Sequence, residues 1–201
     1  WEYQNCEKHS IFMSQAATPI KGLHFMLRAM PEILKNYPDA HLYVAGNDLT
    51  RTDSLYGKLK ISSFAKYIKR LISEYGLEEN VTFTGSLTEQ KMKERFLKSN
   101  VFISPSTIEN SPNSLGEAML LGVPCVSSDV GGVKNLVKHE EEGYVYQTDA
   151  PYMLAYYVKK MFAMEKRAER IGAKAKEHAI ETHDREQNIK VLLKIYEDIL
   201  R

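Results

Sequence analysis

The stretch that decides the fold runs from residue 101 to residue 127 and reads VFISPSTIENSPNSLGEAMLLGVPCVS. Two short apolar runs, residues 101–104 and 124–127, lie at its ends, and each is bounded by Ser or Pro, as buried strands usually are. Residues 113–121, between them, predict a short helix. A strand, a helix and a second strand at this spacing are typical of the units that build a parallel sheet.

The same alternation continues outward in both directions. Further strands are predicted at residues 11–14, 41–45 and 81–84, with a weaker one at 144–146. Helices are predicted at residues 22–36, 56–75 and 88–98 and through most of 150–201. The pattern predicts an α/β fold, a Rossmann-like three-layer α/β/α domain with about six parallel strands. In such sheets ligands bind beyond the carboxyl ends of the strands.

The composition narrows the class of protein. The 201 residues suit one domain, and 43% hydrophobic and 26% charged residues are ordinary for a soluble globular protein. The formal charge of +1 gives no reason to expect a nucleic-acid partner. The two cysteines form no CxxC, which favours a reducing, cytoplasmic location, and the histidines have no zinc-ligand spacing. The chain starts at Trp1 without a signal-like segment, and we expect it to be a fragment.

A helix start after the fourth strand predicts an anion site. Ser111 followed by Pro112 forms a good N-cap and first helical residue. The first turn then presents the free backbone N–H groups of Asn113, Ser114 and Leu115, which together with the helix dipole suit a diphosphate without a metal ion.

Two carboxylates bracket this helix start. Glu109 precedes it, and Glu117 lies one turn inside, four residues after Asn113 and so on the same face. They can accept hydrogen bonds from sugar hydroxyls at both ends of a nucleotide sugar. Two other interpretations are a capped helix with two solvated glutamates and the acid/base pair of a glycoside hydrolase. Lys21, at the start of the first helix directly after the first strand, is expected to project toward the same crevice. The hydrolase is disfavoured because a neutral glycoside needs neither an anion site nor this lysine.

The region from Glu109 to Val133 resembles the signature of the group 1 glycosyltransferases, a retaining family with the GT-B architecture. There, two glutamates separated by seven residues precede an apolar run and a Gly-Gly turn. The matching residues are Glu109, Pro112, Glu117-Ala118-Met119, Gly122, Pro124, Val126, Asp129 and Gly131-Gly132-Val133. Upstream matches are Lys21-Gly22, Tyr37-Pro38-Asp39-Ala40, Ala45-Gly46 and Val81-Thr82-Phe83-Thr84-Gly85.

The resemblance implies a function for the chain. Residues 1–201 would be the nucleotide-sugar (donor) binding domain with its C-terminal helices, the C-terminal half of a GT-B fold, and the N-terminal acceptor domain would be absent. The intact enzyme would transfer a hexose from a nucleoside-diphosphate sugar to a hydroxyl acceptor, with retention and without a metal or other cofactor. This chain alone would be inactive. Polysaccharide biosynthesis is one expected setting, and the base, sugar and acceptor stay open.

The resemblance also implies roles for single residues. Glu109 would orient the donor sugar, and Lys21 would stabilise the leaving diphosphate, so these two are the expected catalytic residues. Glu117 would bind the ribose. The remaining expected donor-binding residues are Gly22, Gly85, Ser86, Leu87, Ser111, Pro112, Asn113, Ser114 and Leu115, with Gly85 to Leu87 beside the base.

One position departs from the family pattern. The family usually carries an arginine about five residues before the lysine, and here that position falls near Ala16. A second phosphate cation is therefore missing. The alternative function is a non-catalytic module that binds a nucleotide or sugar phosphate.

The sequence permits two interpretations for each of three further features. Gly131-Gly132 can admit a phosphate or form a tight turn. The basic residues of the 56–75 helix are either a solvated face or a peripheral contact with the inner face of the membrane. The apolar stripe of the last helix either docks on this domain or stays exposed.

Overall fold

The computed structural model describes residues 1–50 and 62–200. Within them six strands form one sheet: β1 (Glu7–Met13), β2 (His41–Val44), β3 (Val81–Phe83), β4 (Ser99–Ser104), β5 (Cys125–Ser128) and β6 (Tyr144–Tyr146). Their order is β3-β2-β1-β4-β5-β6, and each neighbouring pair is parallel. The predicted Rossmann-like fold is confirmed, including the weak sixth strand.

Helices connect the strands. In the described part of the chain they are α1 (Leu23–Leu34), α2 (Ser63–Glu74), α3 (Glu89–Lys98), α4 (Asn113–Leu120), α5 (Val133–Leu136), α6 (Pro151–Phe162), α7 (Ala168–Thr182) and α8 (Arg185–Ile199). Side-chain caps define several of the starts: the Ser62 hydroxyl accepts from the Ala65 amide at 3.1 Å, and the Asp184 carboxylate accepts from the Gln187 amide at 2.6 Å. Residues 56–61 of the predicted basic helix lie outside the described residues.

Alternating side chains of the strands fill two cores, one on each face of the sheet. Ile11 and Met13 point to the face that α1, α2 and α6 cover, whereas Phe12 points to the face of α3, α4 and α7. There Phe12 meets Phe96 of α3 edge to face, with ring centroids 5.0 Å apart. Burial on both faces explains why the strands are continuous apolar runs.

The C-terminal helices differ in how they pack. Gly172 of α7 lies so close to the loop after α4 that a Cβ there would be 2.0 Å from the Gly122 carbonyl oxygen. By contrast, α8 contributes no buried residue, and its apolar stripe is exposed within the described chain. Among residues 1–50 and 62–200, no helix has the length and apolarity needed to cross a bilayer.

Candidate donor-binding site

A cleft opens at the point where the chain connections reverse direction in the sheet. β1 connects toward β2, whereas its other neighbour, β4, connects toward β5, and such a switch point is where α/β sheets bind ligands. The cleft has a volume of about 770 Å³ and runs between α3 and α4 below the loops after β1 and β4. It is lined by eight residues that the sequence predicts for the site: Lys21, Leu87, Glu109, Ser111, Pro112, Asn113, Ser114 and Glu117.

The two expected catalytic side chains meet in this cleft. The Lys21 ammonium is paired with Oε1 of Glu109, and the Ser106 hydroxyl donates to the same oxygen at 2.9 Å. The side chains of Lys21 and Glu109 are 26% and 13% exposed, so the pair is largely shielded but reaches the cleft. Within the described part of the chain, both hydrogen-bond donors to Glu109 contact Oε1. The second carboxylate oxygen of Glu109 is therefore available to a ligand.

The loop after β1 places Lys21 in the cleft. A short 3-10 turn, Pro19–Lys21, follows the strand, and Gly22 then adopts a left-handed conformation with φ of 79°. A Cβ at Gly22 would lie 1.9 Å from the Pro105 carbonyl oxygen, so only glycine permits this approach. The Thr107 amide also donates to the Ile20 carbonyl at 2.8 Å, which joins the loop to the one that carries Glu109.

The Gly131-Gly132 turn supports that second loop from the opposite side. A Cβ at Gly131 would lie 1.6 Å from the Glu109 carbonyl oxygen, and Gly131 has a φ of 51°. The Gly132 amide donates to the Asn110 carbonyl at 2.8 Å. Of the two interpretations left open by the sequence, the structure supports a tight turn: the glycines pack against protein backbone.

The helix that faces the cleft begins at Asn113, as its predicted range of 113–121 has it, but the predicted cap is wrong by one residue. Ser111 is not the N-cap, since Pro112 takes that position, with ψ of 103° and no side-chain cap. Because Pro112 is the N-cap residue, its carbonyl accepts the first hydrogen bonds of the helix, from the Leu115 amide at 3.0 Å and the Gly116 amide at 3.3 Å. The amides of Asn113 and Ser114 donate to no group in the described chain, so two free N–H groups remain where we expected three.

Four predicted donor-binding residues lie outside the cleft lining. Leu115 is fully buried in the core, and Gly22 packs on Pro105. Gly85 pairs with Gly46 in an isolated antiparallel bridge, and neither Gly85 nor Ser86 lines the cavity. The predicted segment beside the base thus reaches the cleft through Leu87.

The structure adds residues that the sequence reasoning missed. Ser14 and Gln15 line the cleft at the end of β1, and Met92 and Lys93 line it from α3. Met92 and Lys93 could have been predicted from the sequence, because residues 89, 92, 93 and 96 lie on one face of a helix. Ala16, the position without the expected arginine, is buried at 4% exposure and is not one of the residues that line the cleft.

The net charge of the residues that line the cleft does not favour an anionic ligand. Its lining carries the carboxylates of Glu89, Glu109 and Glu117 and the ammonium groups of Lys21 and Lys93. Directed donors, the free amides of α4 and the Lys21 ammonium, are therefore the features that suit an anionic ligand. Among the described residues, no three His, Cys, Asp or Glu side chains are grouped so that they could hold a metal ion.

Comparison with known sequence families identifies the family of the chain. The sequence profile of the family described as "Glycosyl transferases group 1" matches residues 4–178. The chain belongs to the group 1 glycosyltransferases. The match covers β1 through most of α7 and so includes the whole cleft.

Relatives and solved structures extend the comparison. An uncharacterized glycosyltransferase of Methanocaldococcus jannaschii is 28% identical over 193 residues, covering 96% of this chain and 45% of the relative. Sucrose-phosphate synthase from Thermosynechococcus elongatus superimposes with a TM-score of 0.78 at 24% identity, covering 95% of this chain and 45% of that one. Anabaena HepE in complex with UDP-glucose gives a TM-score of 0.76 at 21% identity, with coverage of 96% and 49%. Both structures share the fold of this chain, which spans less than half the length of each of these proteins.

Proposed function

We propose that this chain is the donor-binding domain of a retaining glycosyltransferase that transfers a hexose from a nucleoside-diphosphate sugar to a hydroxyl acceptor. One observation carries the proposal: Lys21 and Glu109 pair in the same cleft that contains Glu117 and the free amides at the start of α4. Membership of the group 1 family supports it, and the cleft contains both glutamates on which the resemblance to that family rests.

The diphosphate is expected at the amino end of α4. The amides of Asn113 and Ser114 and the helix dipole supply directed positive potential, and the Lys21 ammonium supplies a full charge. Charge that develops on the departing diphosphate would be stabilised by these same groups, without a metal ion.

The two glutamates would bind opposite ends of the donor. The free oxygen of Glu109 would accept hydrogen bonds from sugar hydroxyls, and the exposed carboxylate of Glu117, one turn further along α4, would accept those of the ribose. Leu87 would then lie beside the base. The structure of HepE with UDP-glucose offers a precedent for a nucleotide sugar in a protein of this fold.

The acceptor would be bound by a second domain. The chain spans 45% of the length of its M. jannaschii relative, and we propose that an N-terminal domain supplies the other side of the cleft. This chain alone would then bind donor without transferring the sugar. We also propose a cytoplasmic location, with polysaccharide or lipid-linked oligosaccharide synthesis as the setting; the latter would suit a peripheral contact with the membrane.

A non-catalytic nucleotide or sugar-phosphate binding module is the second candidate. The observation that favours it is the absent arginine, because Ala16 is buried and the lining of the cleft contains one more carboxylate than ammonium groups.

Calorimetric titration of the chain with UDP-glucose, GDP-mannose, ADP-glucose and the matching diphosphates, all in EDTA, tests the proposal. We expect tight binding of one pair and a clear loss in Glu117→Ala, with no loss in Glu94→Ala, which changes a carboxylate on α3 outside the cleft. Absence of binding to every nucleotide would contradict the donor site. Transfer to an acceptor by this chain alone would contradict its assignment as one half of the enzyme.

A further inference from the structure

The Ser106 hydroxyl is used in an unusual way for a buried serine. Ser106 is 3% exposed, and its Oγ donates at 2.9 Å to Oε1 of Glu109, a side chain that reaches the cleft. Ser127, which is equally buried, instead donates to the backbone carbonyls of Ser104 and Ser128, both at 3.3 Å. A buried hydroxyl can thus be satisfied by backbone in this protein, whereas that of Ser106 is directed to a carboxylate that lines the cleft.

The backbone around Glu109 is fixed on the opposite side. The Gly131 backbone approaches the Glu109 carbonyl so closely that no Cβ fits, and the Gly132 amide holds the Asn110 carbonyl at 2.8 Å. The Ser128 hydroxyl donates to the Ser106 carbonyl at 2.5 Å, so the strand before the Gly-Gly turn also holds the residue that positions the carboxylate.

We propose that Ser106 and Gly131 are positioning residues that hold Glu109 from two sides. Ser106 and Lys21 engage one carboxylate oxygen, Gly131 fixes the backbone, and the other oxygen is presented to the hydroxyls of the donor sugar. The inference rests on the proposed function, because it assigns a purpose to the conformation of Glu109 in sugar binding.

The physical advantage is preorganisation. A glutamate side chain that is already ordered loses little rotamer entropy when a sugar hydroxyl binds, and a carboxylate with one oxygen occupied has a single remaining orientation for the ligand. Loss of either support should weaken binding of the sugar moiety. The nucleotide should bind nearly as before, because Glu117, the α4 amides and Lys21, which would hold it, all remain.

The test compares two ligands on matched variants. The nucleotide sugar that binds best among UDP-glucose, GDP-mannose and ADP-glucose, and its matching diphosphate, are titrated into the wild-type chain, Ser106→Ala and Gly131→Ala. Ser127→Ala is the control for loss of a buried hydroxyl. Gly76→Ala is the control for the glycine, since Gly76 has a similar φ of 62° and no atom within 4 Å of its added Cβ. Thermal unfolding of every variant monitors the fold, and Ser106→Ala keeps the test decisive if Gly131→Ala does not fold.

We expect Ser106→Ala to bind the nucleotide sugar about three- to tenfold more weakly, the range that the net contribution of one typical hydrogen bond predicts, with the affinity for the diphosphate within about twofold of wild type. Ser127→Ala and Gly76→Ala should keep both affinities. Equal losses for both ligands, or none in Ser106→Ala, would overturn the positioning role while leaving the donor site intact. A wild-type chain that binds no nucleotide contradicts the proposed function itself, and one that binds diphosphate and nucleotide sugar equally well overturns the sugar contact of Glu109 and this inference with it.

Discussion

Lys21 and Glu109 lie 88 residues apart in the sequence and form a partly buried ion pair in the lining of the cleft. The pair exists because β1 and β4 are neighbours in the sheet, so that the loops at their carboxyl ends meet. It joins the group expected to bind the leaving diphosphate to the group expected to bind the sugar.

The pair should make the two residues interdependent in donor binding. Removal of either charge leaves its partner partly buried and without a counter-charge, so Lys21→Ala and Glu109→Gln should each weaken binding of the nucleotide sugar. The loss of binding free energy in the double variant should be smaller than the sum of the two single losses. We expect an interaction energy of about 0.5–3 kcal/mol from calorimetry on all four proteins. The more exposed ion pair between Lys134 and Asp129 is the control. Unfolding experiments on the same set of single and double variants should give a coupling energy of about 0–1 kcal/mol for this pair. Additive effects at Lys21 and Glu109 would show that the contact carries no energy.

The effect of Gly116→Ala on the free energy of unfolding should change sign when the His183 side chain is removed. A Cβ at Gly116 would lie 2.5 Å from Nε2 of His183, whose Nδ1 is held 3.0 Å from the Ala179 carbonyl oxygen. Ala normally stabilises a helix interior by about 0.5–1 kcal/mol relative to Gly, but overpacking costs about 1–3 kcal/mol. Gly116→Ala should therefore lower the free energy of unfolding in the wild-type background and raise it in His183→Ala. Urea denaturation measures both, and a destabilisation of the same size in the two backgrounds would rule out the steric conflict.

Glu32 should contribute stability that disappears in acid. Lys159 and Lys35 each donate to one of its carboxylate oxygens at 2.8 Å, and these bonds lower the pKa of Glu32 from 4.5 to about 2. A carboxyl group with a lowered pKa stabilises the fold above its unfolded-state pKa, and that contribution is lost as the pH falls from about 4.5 toward about 2. Glu32→Gln should thus lower the unfolding temperature at neutral pH, and the difference from wild type should shrink through this window.

Glu186→Gln, which removes a carboxylate from the exposed helix α8, is the control and should show no such window. Because Glu32 itself lies at the surface, the effect is expected to be modest. A difference between Glu32→Gln and wild type that stays constant with pH would contradict the ion-pair assignment.

Deletion of residues 185–201 should leave the domain folded. No residue of α8 is buried, so its removal exposes little core, and we expect a change in unfolding temperature of less than about 2 °C. Solubility should rise, because the deletion removes exposed apolar side chains such as Leu193 and Ile199. A longer deletion from residue 168 removes the fully buried Ala175 and Ala179 and should unfold the protein. Marked destabilisation by the short deletion would show that α8 docks on this domain in solution.

The sequence determined the architecture because its patterns are local. Each strand is an apolar run bounded by turn residues, each helix shows its own period, and their alternation permits few topologies other than a parallel sheet. The sequence also singled out Lys21, Glu109 and Glu117 as candidate site residues, through the rule that such sheets bind ligands at the carboxyl ends of their strands and through the resemblance to the family. The structure places all three in the lining of one cleft.

Tertiary structure alone decided which backbone and side-chain groups come together across those loops. The one-residue shift at Pro112 depends on a ψ angle, the role of Gly131-Gly132 depends on the Glu109 carbonyl, and the contact of Ser106 with Glu109 depends on a rotamer. None of these has a periodic signature, since each results from loops packed against one another by distant strands. The sequence therefore located the candidate site, and the packing of its loops determined which polar atoms in the cleft have no partner in the described chain.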